Sequence, residues 1–96
     1  MNKEEARSIL AEALGAFRSK SYEELSALIG SPLNFERKGP SGTEYQIELQ
    51  VMWDSPRTPG GDIRVIASID DGRFPSAFMP LTADFIKRPD GGFVGE

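Results

Sequence analysis

Apolar residues recur every three or four positions through the first 30 residues, which is the spacing of one face of an α-helix. We predict a first helix over about 3–20 and, after the capping box Ser21-Tyr22-Glu23-Glu24, a second over about 22–29. Gly30 provides a left-handed helix end and Pro32 prevents continuation. The predicted buried stripes are Ala6, Ile9, Leu10, Ala13, Leu14 and Phe17, then Leu25, Leu28 and Ile29.

After Pro32 the apolar period changes to two, which is typical of β-strands that bury one face. The alternation and the Gly and Pro residues between segments predict strands over about 33–38, 44–54, 62–70 and 74–79. Pro75 and Pro80 mark the last of these as an edge strand, and we expect at most a small hairpin in the tail, 81–96. The predicted fold is one α+β domain, 1–96, with two helices packed on one face of an antiparallel meander of about four strands.

The turns predict the strand register, because a one-residue slip would reverse every side chain. A five-residue connection at 39–43 places Lys38 opposite Glu44, and the loop at 55–61 pairs Asp54 with Asp62. A two-residue turn at Asp71-Gly72 would set the fourth strand against the third. The resulting pairs would be Ile69 with Phe74, Val65 with Phe78, and Ile66 with Ala77. Together these registers point the odd-numbered strand side chains from Leu33 to Ile69 toward the helices.

The same register gathers apolar side chains on the face of the sheet that looks away from the helices. The predicted interaction cluster consists of Met52, Arg64, Ile66, Ala77 and Met79, with Arg64 as its anchor. A cluster with flexible Met side chains and a polar rim is typical of a contact surface. Two other interpretations stay open: the tail could fold over the cluster, or the cluster could be tolerated in water. Because the cluster is small, an interface would also need its rim or pairing between sheet edges.

Two other groups of residues are candidate sites. Tyr45 and Trp53 could line a ligand pocket between sheet and helices, although inward aromatic residues more often fill a core. Asp70 and Asp71 are weak candidates for an acid–base pair or a hard cation. An Asp-Gly dipeptide is, however, ordinary turn chemistry. The chain has no His and no Cys, so the usual general base, nucleophile and transition-metal ligands are missing, and no cofactor is expected.

Composition limits the classes of partner. The apolar fraction of 39% and the charged fraction of 27% are those of a globular domain. Fifteen Asp and Glu residues against eleven Lys and Arg give a net charge of −4, with no basic stripe, which disfavours nucleic acid and anionic membranes as partners. Residues 1–5 are charged and lead into an amphipathic segment rather than the apolar run of a signal peptide, so a cytoplasmic location is expected.

Three segments carry a family resemblance: Ser21-Tyr22-Glu23-Glu24-Leu25, Ile69-Asp70-Asp71-Gly72 and the ending Pro89-Asp90-Gly91-Gly92-Phe93-Val94-Gly95-Glu96. They are similar to segments of a small bacterial protein family that has no settled activity or catalytic residues. The resemblance implies a bacterial, cytoplasmic, single-domain protein and assigns no role to any position.

These observations rank three functions. The first is a non-enzymatic interaction module that binds a protein partner, or a second copy of itself to form a homodimer, through the outer sheet face. The second is a small-molecule binder near Trp53 and Tyr45. The third is an enzyme that depends on carboxylates or a metal at Asp70 and Asp71.

Overall fold

The computed structural model describes residues 1–73 and 80–96, and it confirms the α+β fold. Its elements are helices α1 (Lys3–Arg18) and α2 (Tyr22–Ser26) and strands β1 (Leu33–Lys38), β2 (Glu44–Trp53), β3 (Ile63–Asp70) and β4 (Leu81–Lys87). The strands form one antiparallel sheet in the order β1-β2-β3-β4. No helix in these residues is long and apolar enough to cross a membrane.

Both helices begin at capping residues. The Asn2 side chain accepts a hydrogen bond from the Glu5 amide at 3.0 Å, and Ser21 and Glu24 form the predicted reciprocal capping box. The second helix is shorter than predicted, because α2 ends at Ser26 and residues 27–30 form turns. Hydrogen bonds to the carbonyl three residues earlier close these turns; the Leu28 amide, for example, donates to the Leu25 carbonyl at 3.0 Å. Gly30, at φ +83°, then turns the chain toward β1.

The predicted register of the first three strands is confirmed. Lys38 lies opposite Glu44, and Trp53 lies opposite Ile63. The Asp54 amide donates to the Asp62 carbonyl at 2.8 Å, which closes the β2–β3 connection as expected. Odd-numbered side chains therefore point toward the helices; they include the fully buried Tyr45, Ile47, Leu49, Ile63, Val65, Ala67 and Ile69.

The pairing predicted for the fourth strand is wrong. The segment 74–79 lies outside the described residues, and β3 pairs with β4, from the segment that was expected to be a tail. Ile69 lies opposite Leu81 rather than Phe74, Val65 opposite Phe85 rather than Phe78, and Ile66 opposite Asp84 rather than Ala77. Because β2 occupies the other side of β3, no second ladder position remains. The β3–β4 connection spans residues 71–80, so Asp71-Gly72 is not a two-residue hairpin turn.

A buried lysine joins the end of β4 to the end of α1. The Lys87 side chain points inward and is only 7% exposed, and its ammonium donates to the Lys20 carbonyl at 2.6 Å and the Arg18 carbonyl at 3.5 Å. These interactions satisfy carbonyl groups that a helix end leaves without intrahelical partners. The C-terminal residues complete this corner, because the Phe93 ring packs edge-on against Phe85 and lies 4.3 Å from the Arg18 guanidinium.

Candidate functional site

The face of the sheet that looks away from the helices is the candidate site, and we call it the outer face. The buried residues of both helices cluster with the odd-numbered strand residues, so both described helices pack on the inner face. The even-numbered strand residues form the outer face. They are Asn34, Glu36, Lys38, Glu44, Gln46, Glu48, Gln50, Met52, Arg64, Ile66, Ser68, Asp70, Thr82, Asp84 and Ile86.

The tail does not cover this face. Residues 81–87 belong to the sheet itself, and Phe93 forms a bridge with Lys87 and contacts the inward-facing Phe85. The Val94 amide donates to the Ile86 carbonyl at 2.9 Å, which places the end of the chain along the edge of β4. The interpretation in which residues 81–96 fold over the outer face is therefore wrong.

Arg64 lies at the centre of one half of the outer face, between Met52 on β2 and Ile86 on β4. Its guanidinium donates from Nε to Asp54 Oδ1 at 2.9 Å and from Nη1 to Asp84 Oδ2. Hydrogen bonding to Asp54 is the main reason that the pKa of Arg64 is raised above its ordinary value. Arg64 is thus held between two carboxylates, and a partner would have to replace those bonds to use it as an anchor.

The apolar cluster differs in membership from the predicted one. Met52, Ile66 and Ile86 are half-buried on the outer face around Arg64, whereas Ala77 and Met79 lie outside the described residues. Sequence reasoning missed Ile86 because the tail was not assigned to the sheet. The alternation through 81–87 is the signal that could have found it, since Leu81, Ala83 and Phe85 all point inward.

The other half of the outer face is a polar depression, which we call the acidic trough. It has a volume of about 470 Å³ and crosses β1, β2 and β3; its side chains are Asn34, Glu36, Gln46, Glu48, Ser68 and Asp70. The Glu48 carboxylate accepts a hydrogen bond from the side-chain amide of Gln50 at 3.1 Å, and the Asp70 carboxylate accepts one from the backbone amide of Gly72 at 2.7 Å. Within the described residues no hydrogen bond or ion pair reaches the Glu36 carboxylate. The trough has three carboxylates and no cation among its lining residues.

The charge of the whole outer face is negative. Its even-numbered strand positions hold five carboxylates (Glu36, Glu44, Glu48, Asp70 and Asp84) and two cations (Lys38 and Arg64). The segment 74–79 reads Phe-Pro-Ser-Ala-Phe-Met and adds no charge. The outer face therefore attracts positively charged groups.

The two aromatic residues predicted to line a ligand pocket lie in different environments. Tyr45 is fully buried, and its hydroxyl donates to Glu5 Oε1 at 2.8 Å. Burial, followed by this hydrogen bond, raises the pKa of Tyr45 to about 12. Trp53 is half-buried and lines an apolar groove of about 460 Å³ beside β2, with residues 29–32 on its other side. The structure thus places Trp53, but not Tyr45, in a groove.

Glu5 ties the start of α1 to the β1–β2 hairpin. Besides the Tyr45 hydroxyl, its carboxylate accepts from the Ser41 hydroxyl at 2.7 Å and the Ser41 amide at 3.1 Å. These bonds, with the Ser41 hydroxyl first, lower the pKa of Glu5. Gly39 leaves room for the carboxylate, since a Cβ there would lie 2.2 Å from Glu5 Oε1. The cluster fixes the position of the helix and leaves Tyr45 no side open to a ligand.

Asp70 and Asp71 both take part in the turn that follows β3. Asp70 Oδ1 accepts from the Gly72 amide at 2.7 Å, and Asp71 Oδ1 accepts from the Arg73 amide at 3.0 Å. Both are bonds from a side chain to the backbone two residues on, as turn-forming Asp residues make. In the part of the chain that the structure describes, no three acidic side chains are grouped in a way that could hold a metal ion.

Comparisons with known proteins give no family for this chain. No protein-family model matches it, and no curated protein and no solved structure matches it either.

Proposed function

We propose that this protein is a non-enzymatic interaction module whose contact surface is the outer face of its sheet. The observation that carries the proposal is the one-sided packing of the described chain: both helices and the C-terminal residues lie on the inner face or along the edge of β4. Half-buried Met52, Ile66 and Ile86 supply apolar contact area on the side that these described elements do not cover, and a polar rim surrounds them.

The proposed occupant is a protein that carries positive charge where it touches the outer face. Charge complementarity supports this occupant, since carboxylates outnumber cations on the strands of this face. A second copy docked with its trough over this one would bring Glu36, Glu48 and Asp70 against the same carboxylates of the other copy, and like charges across an interface cost several kcal/mol. The proposal includes a bacterial source, on the family resemblance alone, and a cytoplasmic location, on that resemblance and the charged N-terminal segment.

Site-specific photo-crosslinking in cells of the organism that makes this protein tests the proposal. A photoreactive residue replaces Gln46, which is exposed in the acidic trough, or Ser8, which is exposed on α1 as a matched control. We expect a discrete adduct from position 46 and none from position 8, joined to a Lys- or Arg-bearing segment of the captured protein. An adduct from position 8 alone, or none from either position, would overturn the proposal.

Light scattering separates a foreign partner from self-association. We expect the wild type to be a monomer at micromolar concentration, and Ile66→Asp and Arg64→Glu to leave it a monomer. A dimer that either substitution dissociates would show that the occupant of the outer face is a second copy.

The groove beside Trp53 supports a second candidate function, the binding of a small apolar molecule. Its lining residues, which include Ile29, Pro32, Met52 and Pro56, are mostly apolar. Trp53 is the chain's single tryptophan, so its fluorescence reports on this groove directly. Unchanged emission across a panel of apolar metabolites would remove this candidate. An enzyme at Asp70 and Asp71 ranks third, because both carboxylates already accept turn amides.

A further inference from the structure

The two edges of the sheet differ in how they are covered. At β4 the Val94 amide donates to the Ile86 carbonyl at 2.9 Å and Phe93 bridges to Lys87, so the C-terminal residues occupy part of that edge. At β1 the strand order ends, and within residues 1–73 and 80–96 no further strand pairs with Leu33–Lys38. Among the described residues β1 is therefore unpaired along its whole outer side, whereas β4 is covered in part, and β1 borders the acidic trough.

The hairpin geometry shows which backbone groups this edge offers. The Gly39 amide donates to the Thr43 carbonyl at 2.8 Å, and antiparallel pairs alternate between hydrogen-bonded and non-hydrogen-bonded. The odd-numbered residues of β1 therefore bond to β2, and the amides and carbonyls of Asn34, Glu36 and Lys38 point away from the sheet. The side chains of the same three residues lie on the outer face.

An extended segment that paired with this edge would place every second side chain beside the outer-face side chains of β1. Opposite charges directly across a strand pair are favourable and like charges are unfavourable. A basic residue opposite Glu36 would meet a carboxylate that has no other partner in the described chain, with Glu48 one strand further in. In the added segment, an acidic residue two positions from this basic residue would lie opposite Lys38. An apolar residue of the segment opposite Phe35 would extend the inner face.

We propose that the partner binds by strand addition to β1, as an extended segment with a basic side chain directed at Glu36 and the acidic trough. This inference rests on the proposed function and specifies how the outer face is used. Backbone hydrogen bonds to Asn34, Glu36 and Lys38 supply general affinity, and the charge pattern supplies specificity, as in other cases of strand addition. The three consecutive charged residues at 36–38 deter neutral strands from the same edge.

A second copy of β1 fits this edge poorly. In an antiparallel self-pairing centred on Arg37, Glu36 would meet Lys38 of the other copy, but the two Arg37 side chains would face each other and the overlap would be short. Centred on Glu36, the pairing would set two carboxylates together. Each of these two registers includes a like-charge pair, and a third, centred on Phe35, sets Glu36 against the neutral Asn34. A foreign strand of the complementary pattern places a cation opposite Glu36 without a like-charge pair.

Amide NMR of the labelled protein with synthetic peptides tests the inference. The probe is the peptide Thr-Glu-Thr-Lys-Val-Lys-Thr, blocked at both ends. When it pairs antiparallel to β1 with its Glu opposite Lys38, its first Lys lies opposite Glu36. The control peptide carries Glu in place of both Lys residues. We expect the probe to shift the amides of Asn34, Glu36 and Lys38 and to slow their hydrogen exchange. The control peptide is expected to do neither.

Two charge-reversal variants complete the test. Glu36→Lys should weaken binding of the probe by about tenfold or more, whereas Glu23→Lys, an exposed position on α2, changes the net charge equally and should leave binding unaltered. Equal weakening by both variants would overturn the inference as unspecific charge attraction. Two outcomes would refute strand addition and leave the outer-face function standing. One is a shift of the Gln46 and Ser68 amides without protection of the three edge amides. The other is the absence of any shift while the position-46 crosslink persists. Edge shifts that appear without peptide as the protein is concentrated would also overturn it, because the occupant would then be a second copy.

Discussion

Two isoleucines on one strand provide a matched test of which face of the sheet is buried. Ile69 and Ile66 both lie on β3, but Ile69 is fully buried on the inner face and Ile66 is half-buried on the outer face. Ile69→Ala removes buried methyl groups and leaves a cavity between Ile47 and Leu81, its cross-strand neighbours. We expect it to lower the free energy of unfolding by about 3 kcal/mol. Ile66→Ala should cost about 1 kcal/mol, because part of its side chain is already in water.

The expected difference in unfolding free energy between the two variants is a large part of the total stability of the domain. A domain of 96 residues has a free energy of unfolding of about 5–14 kcal/mol, so Ile69→Ala would remove a substantial fraction of it. Urea titration followed by far-UV circular dichroism measures both variants, and the same slope with a lower midpoint would show a change in stability alone. Equal costs, or a larger cost for Ile66→Ala, would refute the assignment of the two faces. The expected result also makes Ile66→Ala suitable for binding experiments.

Two further predictions concern buried polar groups. Lys87→Met should lower the free energy of unfolding by about 2 kcal/mol, because it leaves the carbonyls of Arg18 and Lys20 without their donor. Lys3→Met, at an exposed position, is the matched control in urea titration. Equal midpoints for the two variants would contradict this role of Lys87. Because the pKa of Tyr45 is raised in the folded state, stability from its neutral phenol should be complete below pH 10 and lost as pH rises toward about 12. Ultraviolet titration should show a late phenolate phase that Tyr45→Phe removes, and a wild type without that phase would contradict the buried hydrogen bond to Glu5.

Local signals in the sequence account for the helices and the first three strands. The capping box at Ser21 and the five-residue connection at 39–43 each determine a boundary or a register through contacts between near neighbours, and the structure shows both. The end of α2 was less predictable. The apolar stripe continues through Leu28 and Ile29, and these side chains pack against the core from turns rather than from a helix.

The alternation at 81–85 marks part of the fourth strand, but local signals do not explain its last two residues. The pattern near its end is reversed, since Ile86 points outward and Lys87 points inward. Lys87 is inward because it caps the end of α1, which is distant in sequence. An Asp-Gly dipeptide favours a tight hairpin, but here both Asp residues bind backbone amides within a longer connection.

The error in the fourth strand changed the candidate site without removing it. Met52, Arg64 and Ile66 depend only on the register of β2 and β3, so they lie together on the outer face as expected. Ile86 entered the cluster through β4. The acidic trough was not anticipated, although the predicted register of the first three strands already placed Glu36, Glu48 and Asp70 on one face. Each of them is, taken alone, an ordinary residue for a solvent-facing strand position.

The most direct test of the account is the position-46 crosslink repeated in a Glu36→Lys/Glu48→Lys variant. Both side chains are exposed on the outer face, so the fold should persist, and circular dichroism checks this. The account predicts that the adduct disappears, because a basic partner would meet positive charge in the trough. An adduct of unchanged yield in a folded variant would contradict the claim that the carboxylates of the outer face receive the partner.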